Sequence, residues 1–169
     1  VYVVETTGEL TDHYDPTKKV VNLSRDVYNG RNIAAVAVAA HECGHAVQHA
    51  VAYAPLQLRS ALVPVVNFAS QWVSWILLIG VFSIEMFPGL IWIGIALFAT
   101  TTLFSFVTLP VEIDASKRAL SWLAQSNVTT PQTAEPAREA LRSAAYTYVI
   151  AAISSLGTLL YYISIARRD

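Results

Sequence analysis

The sequence predicts a mainly α-helical integral membrane protein with three transmembrane helices, a further helix that bears the candidate site and a short N-terminal β-hairpin or edge strand. Three observations carry that expectation. Only 14% of the 169 residues are charged and 54% are hydrophobic, against about 25% charged in a soluble domain. Residues 60–84, 86–111 and 143–166 contain no Asp, Glu, Lys or Arg, and each run exceeds the roughly 20 residues a helix needs to cross a bilayer. A chain this short has too little interior to hide three such helices from water.

The elements follow in order. Val1–Thr6 and Lys18–Ser24 are rich in β-branched residues, and the turn-forming stretch Leu10–Pro16 lies between them, which predicts the hairpin or edge strand. Tyr28-Asn29-Gly30 then breaks the chain, Asn32 can cap, and one helix is expected over Ile33–Ala54, stopped by Pro55. His41, Glu42, His45, Gln48 and His49 crowd its second half. Such groups are costly at mid-bilayer, so this helix belongs in an extramembrane core. The spans are placed at Ala61–Phe82, Gly89–Leu109 and Ala144–Ile165, with Trp72, Trp75, Trp92, Tyr161 and Tyr162 as interfacial anchors. Pro110–Arg118 continues the second span into a helix, Asn127–Pro136 reads as looser chain, and helical spacing restarts at Ala137.

Four segments result: 1–59 extramembrane, 60–109 a two-span hairpin, 110–142 extramembrane and helical, and 143–169 a third span and tail. The chain opens on Val1 and its one Met is residue 86, so it reads as a segment of a longer protein. Eleven basic residues against 12 acidic ones leave a net charge of −1, which offers no field to gather nucleic acid. The lone Cys43 cannot form an internal disulfide or a cysteine-rich metal knuckle. Any bound metal must rely on His and carboxylate.

His41-Glu42-Cys43-Gly44-His45 supplies both. Residues four apart on a helix face the same way, so the two imidazoles can reach one Zn²⁺, and the Glu beside the first His is set to handle a water proton. His41 and His45 are therefore expected as zinc ligands and Glu42 as the catalytic base and acid. A pair of histidines merely hydrogen-bonded in a core would bury two imidazoles and a carboxylate on an Ala and Val helix at high cost.

A catalytic zinc takes three protein ligands and keeps one position open. Glu112 is the best-placed third ligand, at the exit of the second span with no cation three or four residues away. His13 in the turn-rich entry segment is a second candidate. His49, one turn beyond His45, is a weaker third, since three collinear imidazoles do not close a tetrahedron. Ser116 shares the Glu112 face and can hydrogen-bond a ligating His, whereas Asp114 points elsewhere and can pair with Arg118. Cys43 faces away from both imidazoles and is expected to be a small buried residue. Gly44 is expected to admit a second backbone close to the helix. Asn67 and Gln71 are expected to hydrogen-bond between helices.

If Glu112 joins His41 and His45, an even number of spans must separate them, and two do. Nine of the 11 basic residues lie outside the spans in the two ligand-bearing segments, which predicts a cytoplasmic metal site. The Arg167-Arg168 end then falls on the disfavoured side.

AAVAVAAHECGHAVQHA, the hydrophobic hairpin and LPVEIDASKRAL together resemble the bacterial membrane neutral zinc metallopeptidases of the YugP-like type, with LTDHYDPTKKVVNLS and LRSAAYTYVIAA extending the likeness over the whole chain. The layout is similar to that of membrane gluzincins. The resemblance implies His41, His45 and Glu112 as zinc ligands, Glu42 as catalytic residue, and a bacterial inner-membrane location. Those relatives commonly carry Asp four residues after the ligand Glu, where this chain has Ser116, and usually begin with one more transmembrane helix.

The expected function is a zinc-dependent membrane metalloendopeptidase acting on a peptide or membrane-protein substrate near the bilayer surface. The substrate strand is expected along the Lys18–Ser24 edge, and His13, Tyr14, Tyr28, His49 and Arg118 are candidate oxyanion donors. The alternative is a non-catalytic membrane scaffold whose structural zinc is closed by a fourth ligand such as His13. Cleavage within the bilayer is disfavoured by the polar crowding at 41–49.

Overall fold

The structure, a computed structural model, describes residues 1–167; Arg168 of the basic end lies outside the described residues. The chain is mainly helical. Its elements are β1 (Tyr2–Thr6), β2 (His13–Asp15), β3 (Val20–Ser24), α1 (Arg25–Tyr28), α2 (Ile33–Ala50), α3 (Ala54–Phe82), α4 (Pro88–Gln125) and α5 (Pro131–Ala166). They divide into two compact units, one of Val1–Gln57 with Pro110–Thr147 and the other of Leu58–Leu109 with the chain from Tyr148.

In the first unit the three strands form a sheet of order β1-β3-β2. The β-branched segments at both ends of the entry region do pair, but in parallel, Tyr2 opposite Val20 through Thr6 opposite Ser24. The turn-rich stretch between them supplies β2, antiparallel to β3. Asp12 makes this possible by accepting hydrogen bonds from the Ser24 N–H (2.8 Å) and hydroxyl, which ties the start of β2 to the end of β3. β3 is thus the central strand. Both of its edges are occupied, so no further strand can add along Val20–Ser24, and the free edges belong to β1 and β2.

The inward residues of β3, Val21 and Leu23, pack on Ala46 of α2. Asn32 caps α2, its side chain accepting from the Ala35 N–H at 2.8 Å. On the other side Ala37 and Ala40 pack against Ala119 and Leu123 of α4 and Ala137 and Leu141 of α5. Alanine along this face lets the helices approach closely.

α2 is shorter than the expected Ile33–Ala54. It stops at Ala50 because Ala52 turns into the left-handed region at φ +53°, with the Tyr53 N–H bonding the Gln48 carbonyl across the end. That is the six-to-one closure of a Schellman ending with alanine in place of glycine. Pro55 sits inside the first turn of α3, where a missing N–H costs nothing. α4 does continue through Pro110. It ends in the same way, with Asn127 at φ +53° and the Val128 N–H on the Leu123 carbonyl. α5 then begins at Pro131, ahead of the expected restart at Ala137, since Thr130 and Thr133 bond across its first turn.

In the second unit Val73 and Leu77 of α3 pack on Ile91 and Ile95 of α4, with Leu159, Tyr162 and Ile163 of α5 alongside. A Cβ on Gly80 would lie 2.8 Å from the Ile91 Cα, so only glycine permits this approach. α3, α4 and α5 are each long and apolar enough to cross a membrane. Large side chains such as Phe68, Trp72, Trp75 and Ile79 stand exposed on α3, as lipid-facing residues do. Thr102 and Ser155 make the polar link between α4 and α5, Oγ1 to Oγ at 2.7 Å. Asn67 and Gln71 are exposed and make no such bond among the described residues.

Candidate metal centre

His41 and His45 project from one face of α2, and Glu112 meets them from α4. The meeting depends on Gly44. A Cβ there would stand 2.6 Å from the Ala115 carbonyl oxygen and 3.2 Å from its Cα, so the two backbones touch at Gly44 and Ala115. Glu112 lies one turn before Ala115 on the same helix, which carries its carboxylate to the imidazoles.

One Glu112 oxygen, Oε2, is 3.1 Å from His41 Nε2 and 3.5 Å from His45 Nε2. The three potential ligand atoms all lie within 4.8 Å of one another. Ligands about 2.0–2.1 Å from a tetrahedral ion are separated by about 3.3–3.4 Å. The two oxygen-to-nitrogen distances match edges of such a site, and two imidazoles with one carboxylate suit zinc in donor type.

Each imidazole has a second partner on its far nitrogen. His41 Nδ1 is 3.0 Å from Ser116 Oγ, the contact expected from the spacing. His45 Nδ1 is 3.0 Å from Gln48 Oε1. The Gln48 amide in turn donates to the Val111 carbonyl and to Asp114 Oδ2, both at 2.8 Å. Asp114 also takes the Arg118 Nε at 2.6 Å, and the guanidinium lies over the Tyr53 ring. Asp114 pairs with Arg118 as expected, but it also reaches Gln48. Gln48 was visible in the sequence only as part of the polar crowding. The signal that identifies it is its position three residues after His45 on an Ala and Val face.

The two glutamates differ. Burial alone would raise the Glu112 carboxyl, yet the hydrogen bonds and charges of His41 and His45 outweigh it and hold the group to about 2. Glu42 is 8% exposed and makes no hydrogen bond or ion pair among the described residues. Burial pushes its carboxyl above the usual range, with the two imidazoles pulling part of the way back. Burial alone would lower His45, but the hydrogen bond and charge of Glu112 together with the charge of Glu42 raise it.

The other candidates lie outside the cluster. His13 is engaged by the Thr11 carbonyl at 2.7 Å and by the Asn22 amide at 3.2 Å. His49 Nδ1 is 3.3 Å from the Tyr14 hydroxyl. Among the described residues no fourth His, Cys, Asp or Glu joins His41, His45 and Glu112. Cys43 does face away from the imidazoles, but it is exposed, lining an apolar concavity of about 350 Å³ with Val21, Ala39 and Trp122. The sheet and the end of α4 do not close over this side of α2.

The fold and the cluster define a membrane-associated protein with an HExxH helix, and the chain belongs to the family described as "Putative neutral zinc metallopeptidase", which it matches over residues 1–167. It is also 44% identical, over 165 residues, to "Putative membrane protease YugP" of Bacillus subtilis (strain 168), covering 98% of this chain and 72% of that protein. No solved structure matches.

Proposed function

We propose that this protein is a zinc-dependent membrane metalloendopeptidase that hydrolyses peptide bonds near the membrane surface. His41, His45 and Glu112 would hold the ion, and Glu42 acts as general base. The contrast between the two buried glutamates carries this reading. Glu112 is bound to both imidazoles, whereas Glu42, adjacent to the first of them, has no donor among the described residues. A carboxylate kept nearly dry and unpartnered, with its affinity for a proton raised, is matched to take a proton from water and return it to a leaving amine.

A zinc ion held by this triad would supply Lewis acidity, able to polarise a carbonyl and to lower the pKa of water. The chain's own groups do the rest. Ser116 and Gln48 orient the imidazoles. Tyr14 and His49, in contact beyond His45, are the donors proposed for the oxyanion, since Arg118 is committed to Asp114. The free edge of β2, whose strand packs on α2, is proposed to carry the substrate main chain.

The proposed partners are a peptide or membrane-protein substrate and the lipid bilayer. The proposed location is a bacterial inner membrane with the site facing the cytoplasm, supported by nine of 11 basic residues in segments 1–59 and 110–142. A purely structural zinc would need a fourth ligand, and the engaged ring of His13 gives that reading no support.

Glu42→Gln tests the assignment. The variant should retain the wild-type zinc content and lose about 10²–10⁴-fold in turnover of a peptide substrate. Undiminished turnover would overturn the role of Glu42.

A further inference from the structure

We propose that Gln48 is the positioning residue that sets His45 for metal binding and locks its orientation to the helix carrying Glu112. The inference rests on the zinc-site reading above and deepens it. Gln48 has 0% exposure, and an amide buried so completely is costly unless its donors and acceptor are used. Here they are. Nε2 donates to the Val111 carbonyl and to Asp114 Oδ2, and Oε1 faces His45 Nδ1.

The direction of the amide is decided by these partners. Turned over, Oε1 would meet a carbonyl oxygen and a carboxylate, both of which only accept. Oε1 therefore points at His45. An amide oxygen only accepts as well, so the proton of the neutral His45 ring sits on Nδ1. That leaves the Nε2 lone pair on the side of Glu112 Oε2, 3.5 Å away, which is the tautomer a metal requires.

His41 is held differently. Its partner is the Ser116 hydroxyl, which can donate or accept and so does not force a tautomer. Gln48 is the partner that does. It also grips Val111, the residue immediately before Glu112, so one side chain fixes the ring of one ligand and the backbone next to another. Arg118 completes the chain of contacts by holding Asp114 at 2.6 Å, which keeps an acceptor in front of the amide.

Zinc dissociation constants from chelator competition, with the visible spectrum of the cobalt-substituted protein, test this on the full chain. Gln48→Met keeps the length of the side chain and removes the acceptor. It should weaken zinc by about 10–100-fold, the usual effect of losing a group that orients a ligand, and change the cobalt bands. Wild-type zinc affinity and cobalt bands in folded Gln48→Met would show a merely structural amide and overturn the proposal. If Gln48→Met does not fold, imidazole ¹H–¹⁵N spectra of the wild-type protein decide: a His45 proton on Nδ1 supports the proposal and one on Nε2 refutes it. Failure of the zinc-site reading looks different, as wild-type protein that binds no zinc or His41→Ala that binds it undiminished, and either result removes this inference as well.

Discussion

The contact between Gly44 and Ala115 allows a substitution whose effect on stability and on metal binding can be separated. In a helix interior, Gly→Ala normally stabilises by about 1 kcal/mol. At position 44 the new Cβ would meet the Ala115 carbonyl oxygen at 2.6 Å, and ordinary contact begins at 3.4 Å. The two helices must therefore part by about 0.8 Å, and overpacking of this kind costs about 1–3 kcal/mol. Net stability should fall by roughly 0–2 kcal/mol, a small change. The proposed metal site is far less tolerant, because ligand distances must hold within about 0.2 Å and Glu112 is one turn from Ala115. Gly44→Ala should weaken zinc at least about tenfold, equal to about 1.4 kcal/mol, with a modest drop in Tm. Thermal unfolding in detergent and chelator competition on the same sample measure both. A variant with a higher Tm and unchanged zinc affinity would refute the argument that this backbone contact sets the position of Glu112.

Two further outcomes follow from the ligand geometry. Glu112→Gln should lower zinc affinity by more than about 100-fold, beyond the loss for an orienting partner, while His13→Ala and His49→Ala should stay within about twofold; an equal loss in His13→Ala would enlarge the ligand set. Zinc affinity should also fall at acid pH. The metal needs a neutral His45, whose metal-free pKa is raised above 6.5 by the charge and hydrogen bond of Glu112 despite burial, so protons begin to compete above pH 6.5 and affinity drops by up to about tenfold per pH unit below that point. Glu112, held to about 2, adds nothing in this range. A chelator titration that is flat from pH 8.5 to 5.5 would contradict the assignment of His45.

What could be read from the sequence depended on the range of the interaction. The spans follow from long stretches without charge, a property each helix carries alone. The His41, Glu42 and His45 pattern follows from helical period, and Ser116 was placed correctly because it sits four residues from Glu112 on one face. The parallel pairing of β1 with β3 was not legible, since pattern shows that segments are extended but not which way they run, and Asp12 reaching Ser24 is a long-range contact. The break after Ala50 rests on Ala52 alone adopting a positive φ, where alanine carries no turn signal. Cys43 was expected to be buried because cysteine usually is; its exposure reflects a neighbouring surface that spacing along α2 cannot reveal. Gln48 and Asp114 escaped for the same reason, being joined across two helices 66 residues apart.

Glu42 also has a meaning for how this fold is built. A chain selected for durability alone would place an aliphatic residue at position 42, where the side chain is nearly buried and no donor among the described residues answers an anion. Retaining acid there concentrates weakness at one turn of α2, while Ala37 and Ala40 pack on α4 and α5 and Ala46 packs on β3. Reactivity and close packing are thus neighbours on one short helix, so a change in the seam at Gly44 and Ala115 reaches the reactive turn as well.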